Sequence, residues 1–183
     1  MMNLRARRIE QEWLLLERLA SANPSIVCTV AREKQVFEVN LRESPAWTQG
    51  TSGPRIRMNH TVHYMVPRFY PSLPVEGYLA RPVFHPNVDQ VSGFLCLWSD
   101  YQPRQTIVDA LQITRAILAH HCFNLHPDHC MQPDALGCEA LPMSPLLIPE
   151  SCRTDTLAGR ANARPRLTPL HVSLSDLEIS CDI

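Results

Sequence analysis

Between Pro67 and Pro86 the chain places five prolines in twenty residues, and this stretch constrains the fold more than any other. Proline fixes φ, donates no backbone hydrogen bond, and is excluded from helix interiors and central strands. A sheet formed upstream must therefore end there, and a helix downstream must be reached through an irregular crossover. The segment lacks low complexity, so it is expected to pack as ordered coil with one short strand candidate, residues 77–81.

Upstream, residues 26–30, 35–41 and 56–66 read as β segments. Phe37, Val39 and Leu41 alternate with Glu38 and Asn40; Ile56, Met58, His60, Val62 and Tyr64 share one face, with Arg57, Asn59, Thr61 and His63 on the other. The short links predict an antiparallel meander. Ahead of it, Asn3 caps a helix over 4–21 whose apolar seam is Ile9, Trp13, Leu16 and Ala20, widened by Leu15 and Leu19 and stopped by Asn23-Pro24. Downstream, Thr106-Ile107-Val108-Asp109 reads as a capping box, and Ile107, Ala110, Leu111, Ile117 and Leu118 give the wide stripe of a central buried helix over 106–121.

These elements predict an α+β fold: an N-terminal helix, a four-stranded antiparallel meander, a loop, a central crossing helix and an irregular C-terminal tail. The division expected is a domain over 1–136 and a Pro-containing tail over 137–183, where Val172, Leu174 and Leu177 are the candidate for a docked element. Deleting the tail is expected to leave the function of the rest intact.

Composition narrows the functions. A chain of 183 residues buries a core without metal or disulfides, and 17 basic against 18 acidic residues provide no field that would draw it onto nucleic acid or a membrane. The apolar runs fall far short of the roughly 20 residues that cross a bilayer. Seven cysteines without framework spacing point to a reducing, cytoplasmic setting. Lys34 is the single lysine among the 17 basic residues; arginine keeps the charge without offering a nucleophilic amine, and an arginine-rich codon bias explains the same fact.

Tyr70-Pro71-Ser72-Leu73-Pro74, His85-Pro86-Asn87, Gly93-Phe94-Leu95-Cys96-Leu97 and Tyr101-Gln102-Pro103 follow in order between the meander and the capped helix. Singly each is weak; together they resemble the ubiquitin-conjugating enzyme family over roughly residues 4–136. The resemblance implies a ubiquitin-like modifier carried as a thioester on Cys96, a cognate activating enzyme that supplies it, transfer to a target or to a ligase with an acceptor cysteine, and no cofactor. Thiolates attack and leave thioesters well, so positioning is most of the catalyst's task. Asn87 would donate to the oxyanion formed during transfer, or tie down its own loop. His85, with Pro86, Tyr70 and Pro71, reads as structure near the site.

The departures from the family pattern also carry expectations. The spacing from Asn87 to Cys96 is one residue longer than the common form, Trp98 stands where the family has aspartate or asparagine, and the absence of C-terminal helices resembles divergent bacterial members. Val66, Pro103 and Arg104 fall at the ligase-docking positions, with Val66 and Arg104 unlike the usual residues. Arg5, Arg7 and Arg8 oppose the dipole of the first helix, so stability does not account for them, and they are candidates for docking an acidic partner surface. His129 occupies a position where lysine-modifying members carry an acid, which favours a cysteine acceptor unless Asp128 or Asp100 takes over. Two other functions compete: an inactive variant that only binds a ubiquitin-like protein, and an interaction module with zinc on Cys122, His126, His129 and Cys130. The spacing lacks a C-x-x-C knuckle, so no metal site is assigned.

Overall fold

The computed structural model of the protein describes residues 4–153, so Asn3 and the segment Val172, Leu174, Leu177 lie outside the described residues. Helix α1 spans Leu4–Ala22. Strands β1 (Val27–Glu33), β2 (Val36–Leu41), β5 (His60–Met65) and β6 (Glu76–Leu79) pair in that order, all antiparallel, with a two-residue β7 (Phe94–Leu95) at the edge. This is the expected four-stranded meander, plus β7. Lys34 and Gln35 form the tight turn between β1 and β2, with Lys34 at φ 54.

The third β segment is not continuous. Residues 46–57 form a separate hairpin, β3 (Ala46–Gly50) and β4 (Gly53–Arg57), in which Ile56 pairs with Trp47. The Met58 carbonyl accepts from Ser44 N at 3.0 Å, so the backbone leaves the sheet before re-entering at His60. Ile56 and Met58 are accordingly half exposed, at 50% and 45%, while His60, Val62 and Tyr64 are buried. Period-2 alternation ran through the break because both sides of it are extended.

The inner face of the sheet packs on α1, and the face α1 buries is rotated from the expected seam. Ile9, Glu12, Leu16 and Leu19 are fully covered. Trp13, Leu15 and Ala20 flank them, Trp13 lying 5.7 Å from the Phe37 ring. Glu12 is a carboxylate at 0% exposure that accepts from Arg8 Nε at 2.6 Å, the Tyr70 hydroxyl, and the backbone N of Ile107 at 2.8 Å. It thereby joins α1 to the proline crossover and to the start of α2 (Ile107–Leu118).

At that start Asp109 Oδ2 accepts from Thr106 N at 2.7 Å, the reach-back half of a capping box. The helix ends earlier than the stripe suggested, because His120 adopts φ 57 and the chain turns away.

The boundary expected at 136 is not where packing stops. Leu141 N donates to the Ala119 carbonyl at 2.8 Å, Leu147 N donates to Asn23 Oδ1 at 2.7 Å, and Asn23 Nδ2 donates back to the Leu147 carbonyl at 2.8 Å. Leu141 and Cys152 are buried, and Leu146 and Ile148 pack on the core. Residues 138–153 thus cover an apolar face of the domain, held mainly through backbone bonds that leave no hydrophobic period in the sequence. Asn23 Nδ2 also donates to the buried Leu19 carbonyl at 2.8 Å, so Asn23→Ala should cost about 2 kcal/mol by leaving that carbonyl unbonded and releasing Leu147. Limited proteolysis should then cut within 138–153 sooner than in the native chain.

Candidate active site

The segment carrying Cys96 is fixed from both ends. Gly93 sits at φ 74, and a Cβ there would lie 2.2 Å from the Leu79 carbonyl oxygen, so only glycine lets this strand close on β6. Cys96 N donates to the Asn87 carbonyl at 2.9 Å, and Trp98 Nε1 donates to the Val75 carbonyl at 2.9 Å. Trp98, at the position that departs from the family pattern, thus anchors the far side of the loop against the crossover. Tyr70 and Pro71 lie in that crossover, where the Pro71 carbonyl accepts from the Tyr101 hydroxyl at 2.8 Å.

Facing Cys96 is a loop whose short 3-10 turn, Pro127–His129, presents His129. Its Nδ1 lies 2.9 Å from Cys96 Sγ. Asn87 holds this loop in place: Nδ2 donates to the carbonyls of Asn124 at 2.6 Å and His129 at 2.9 Å, and Oδ1 accepts from Asn124 N at 2.7 Å. Every hydrogen-bonding capacity of one amide N–H pair is thereby used, so Asn87 gives an oxyanion a donor only by releasing a loop carbonyl. The Pro86 carbonyl accepts from Met131 N and Gln132 N, which docks the other end of the loop. His85 Nδ1 accepts from Asn87 N at 3.0 Å, and its ring stacks on Phe123 and meets His120 edge-on.

Burial pushes the Cys96 thiol above its ordinary value, with Cys122 adding to the effect. At neutral pH the sulfur therefore rests protonated, and its reaction needs a proton acceptor. His129 Nδ1 is at hydrogen-bonding distance for that transfer.

Other predicted residues are placed differently. Arg5 Nη2 donates to Gln35 Oε1 at 2.7 Å and the Pro67 carbonyl at 2.9 Å, and Arg8 bonds Glu12 and the Gln105 carbonyl while lying over the Tyr70 ring. Arg5 and Arg8 thus have bonding partners within the fold that the dipole argument did not foresee, while Arg7 is exposed. Val66 is buried at 4% and offers no side chain to a partner, whereas Pro103 and Arg104 are exposed. Phe69 and Leu73, at 63% and 49% exposure, are the large apolar groups that the proline crossover leaves exposed; apolar residues interleaved with prolines were the available signal. Asp100 and Asp128 are exposed, Asp128 facing His126 Nδ1 at 3.6 Å. Among the described residues no three His, Cys, Asp or Glu side chains group as metal ligands.

No family model matches the sequence, and no curated protein matches it. Among solved structures the chain is similar to one from Trypanosoma cruzi described as a ubiquitin conjugating enzyme, with a TM-score of 0.55 at 18% identity over 74% of this chain and 89% of that one. It is also similar to one from Plasmodium yoelii of the same description, with a TM-score of 0.50 at 19% identity over 74% and 82%. The chain has the ubiquitin-conjugating (UBC-like) fold and is a divergent example of it, as the order of its motifs implied. Among the described residues no helix is long and apolar enough to cross a membrane.

Proposed function

We propose that the protein carries a ubiquitin-like protein as a thioester on Cys96, received from an activating enzyme, and hands it to an acceptor thiol. The observation that supports this most is the 2.9 Å pairing of Cys96 Sγ with His129 Nδ1 within this fold. In charging, the Cys96 proton passes to His129 Nδ1 as the sulfur attacks the incoming thioester carbonyl. The tetrahedral intermediate collapses, the C–S bond to the donor breaks, and the departing thiolate takes up the proton. One thioester replaces another, so the step is nearly thermoneutral and rests on positioning.

Discharge runs the same chemistry toward an acceptor. A carboxylate beside the sulfur would attract a lysine ammonium through its negative charge; the His129 imidazole has no negative charge to offer, so a ligase cysteine suits this site better than a target lysine. The test is to charge the native chain and Cys96→Ser with a modifier and its activating enzyme. The native adduct should be cleaved by a reducing thiol, and the serine adduct should form more slowly and resist it. Free cysteine should discharge the native adduct at least tenfold faster than free lysine. A thiol-labile adduct that persists in folded Cys96→Ser excludes Cys96 as the carrier.

Asn87 acts in this scheme by holding His129 against the sulfur. Asn87→Ala should lose about 2–3 kcal/mol of stability, with two loop carbonyls left unbonded. It should slow charging and discharge together in single-turnover assays. Normal charging with slow discharge would instead assign Asn87 a direct part in the transfer step.

A further inference from the structure

The sheet face turned away from α1 carries a cavity that the thioester chemistry does not use. It has a volume of about 470 Å³ and opens where β2 ends, β5 begins and β6 ends. Its floor is a polar ladder across three strands: Asn40 Nδ2 donates to Thr29 Oγ1 at 2.9 Å, and Thr61 Oγ1 donates to Asn40 Oδ1 at 2.6 Å. Around the floor stand Arg42, Arg57 and Arg81.

The charges of this wall are uncompensated. No acidic residue lines the cavity, and none of the three arginines forms an ion pair among the described residues. Glu38, beside the floor, is held by Asn40 Nδ2 at 3.0 Å and faces His63 Nε2 at 3.3 Å. Arg57 Nη2 donates to the carbonyls of Arg81 and Pro82, which fixes the guanidinium in the wall and leaves its Nε buried without a partner. Burial first, and the like charge of Arg81 second, pull the Arg57 guanidinium below its ordinary value, as expected for cations gathered without a counter-ion.

Planar guanidiniums gathered over hydroxyl and amide groups suit the oxygens of a phosphoryl group, which they bind through paired charge-assisted bonds. The volume is within the range of small-ligand sites and leaves room for more than a bare phosphate. We propose that this cavity binds a phosphorylated polar small molecule, its phosphoryl group between Arg42 and Arg81 and its hydroxyl-bearing body on Thr29, Asn40 and Thr61. This site is independent of Cys96 and stands whether or not the thioester reading does.

Calorimetric titration of the full chain with ribose 5-phosphate, pyrophosphate and ribose, at matched ionic strength in chloride, tests the proposal. Both phosphorylated probes should bind and ribose should not, and the amide resonances of Thr29 and Thr61 should shift with ribose 5-phosphate. The double variant Arg42→Gln, Arg81→Gln changes two exposed side chains and should keep its melting temperature while losing at least tenfold in affinity for both. Binding of ribose as tight as that of ribose 5-phosphate, undiminished binding by a folded double variant, or no binding of either phosphorylated probe would each overturn it.

Discussion

Between about pH 6.5 and pH 4 the protein is expected to lose roughly 3–4 kcal/mol of stability for each unit of acidification. Three imidazoles are kept neutral by the fold. Burial holds His60 and His120 down to about 4, and holds His85 well below its ordinary 6.5, with the neighbouring His120 adding to the effect on His85. Above pH 6.5 these groups are neutral in both folded and unfolded chains and contribute no slope. Below it the unfolded chain binds protons that the folded chain refuses, so stability falls as pH falls, by about 1.4 kcal/mol per unit for each histidine. The slope flattens near pH 4, where His60 and His120 begin to protonate in the folded protein. Against a total of about 5–15 kcal/mol for a domain, the accumulated loss should unfold the chain near pH 5. Urea titrations at pH 7, 6 and 5.5 measure it directly. A midpoint that stays level across that range would mean that the three rings are not held neutral, and His60→Gln should remove about one third of the slope.

Glu12→Ala is expected to cost about 3–5 kcal/mol, the largest effect of any single charged side chain in the fold. The carboxylate is wholly covered, and it satisfies a guanidinium, a phenol and the first N–H of α2 at once. Removing it leaves the Tyr70 phenol and the Ile107 N–H without an acceptor in the interior and the part-buried Arg8 without its carboxylate, which is far costlier than losing a surface pair. Glu12→Gln should fall between, because its amide keeps one acceptor oxygen but turns an NH2 group toward donors. Glu10→Ala, which breaks only the bridge to Arg32 at the surface, should stay within about 1 kcal/mol. Equal denaturation midpoints for the Glu10 and Glu12 variants would show that the buried network carries no stability.

Where local pattern decided the backbone, the sequence was readable. Alternation located β2 and the part of β5 from His60 onward, and the Thr106 and Asp109 spacing located the start of α2. The prolines marked a crossover that the chain does follow. What remained hidden depended on partners distant in sequence. Glu12 reads as the polar flank of an amphipathic helix, and only the arrival of Tyr70 and Ile107 makes its burial favourable. The β3–β4 hairpin was missed because Ala46 is the one buried residue in its two strands, so they carry no apolar alternation. Cys96, Asn87 and His129 were all named from motif positions, but the contact between Sγ and Nδ1 arises from two loops brought together by the Asn87 amide, and no spacing encodes that. Residues 138–153 were read as tail for a related reason: their attachment runs through main-chain groups, which every sequence possesses.

The tight turn between β1 and β2 gives the molecule an unusual handle. Lys34 is the one lysine in the sequence, and it is exposed at that turn. Apart from the chain's α-amine, any amine-reactive dye, crosslinker or surface will therefore attach at a single defined point. Lysine-specific proteolysis will cut the polypeptide once, into two fragments that divide β1 from β2. If the protein ever modifies its own side-chain amines, the product must be a single species with its branch at this turn, and a ladder of such products would have to come from another protein.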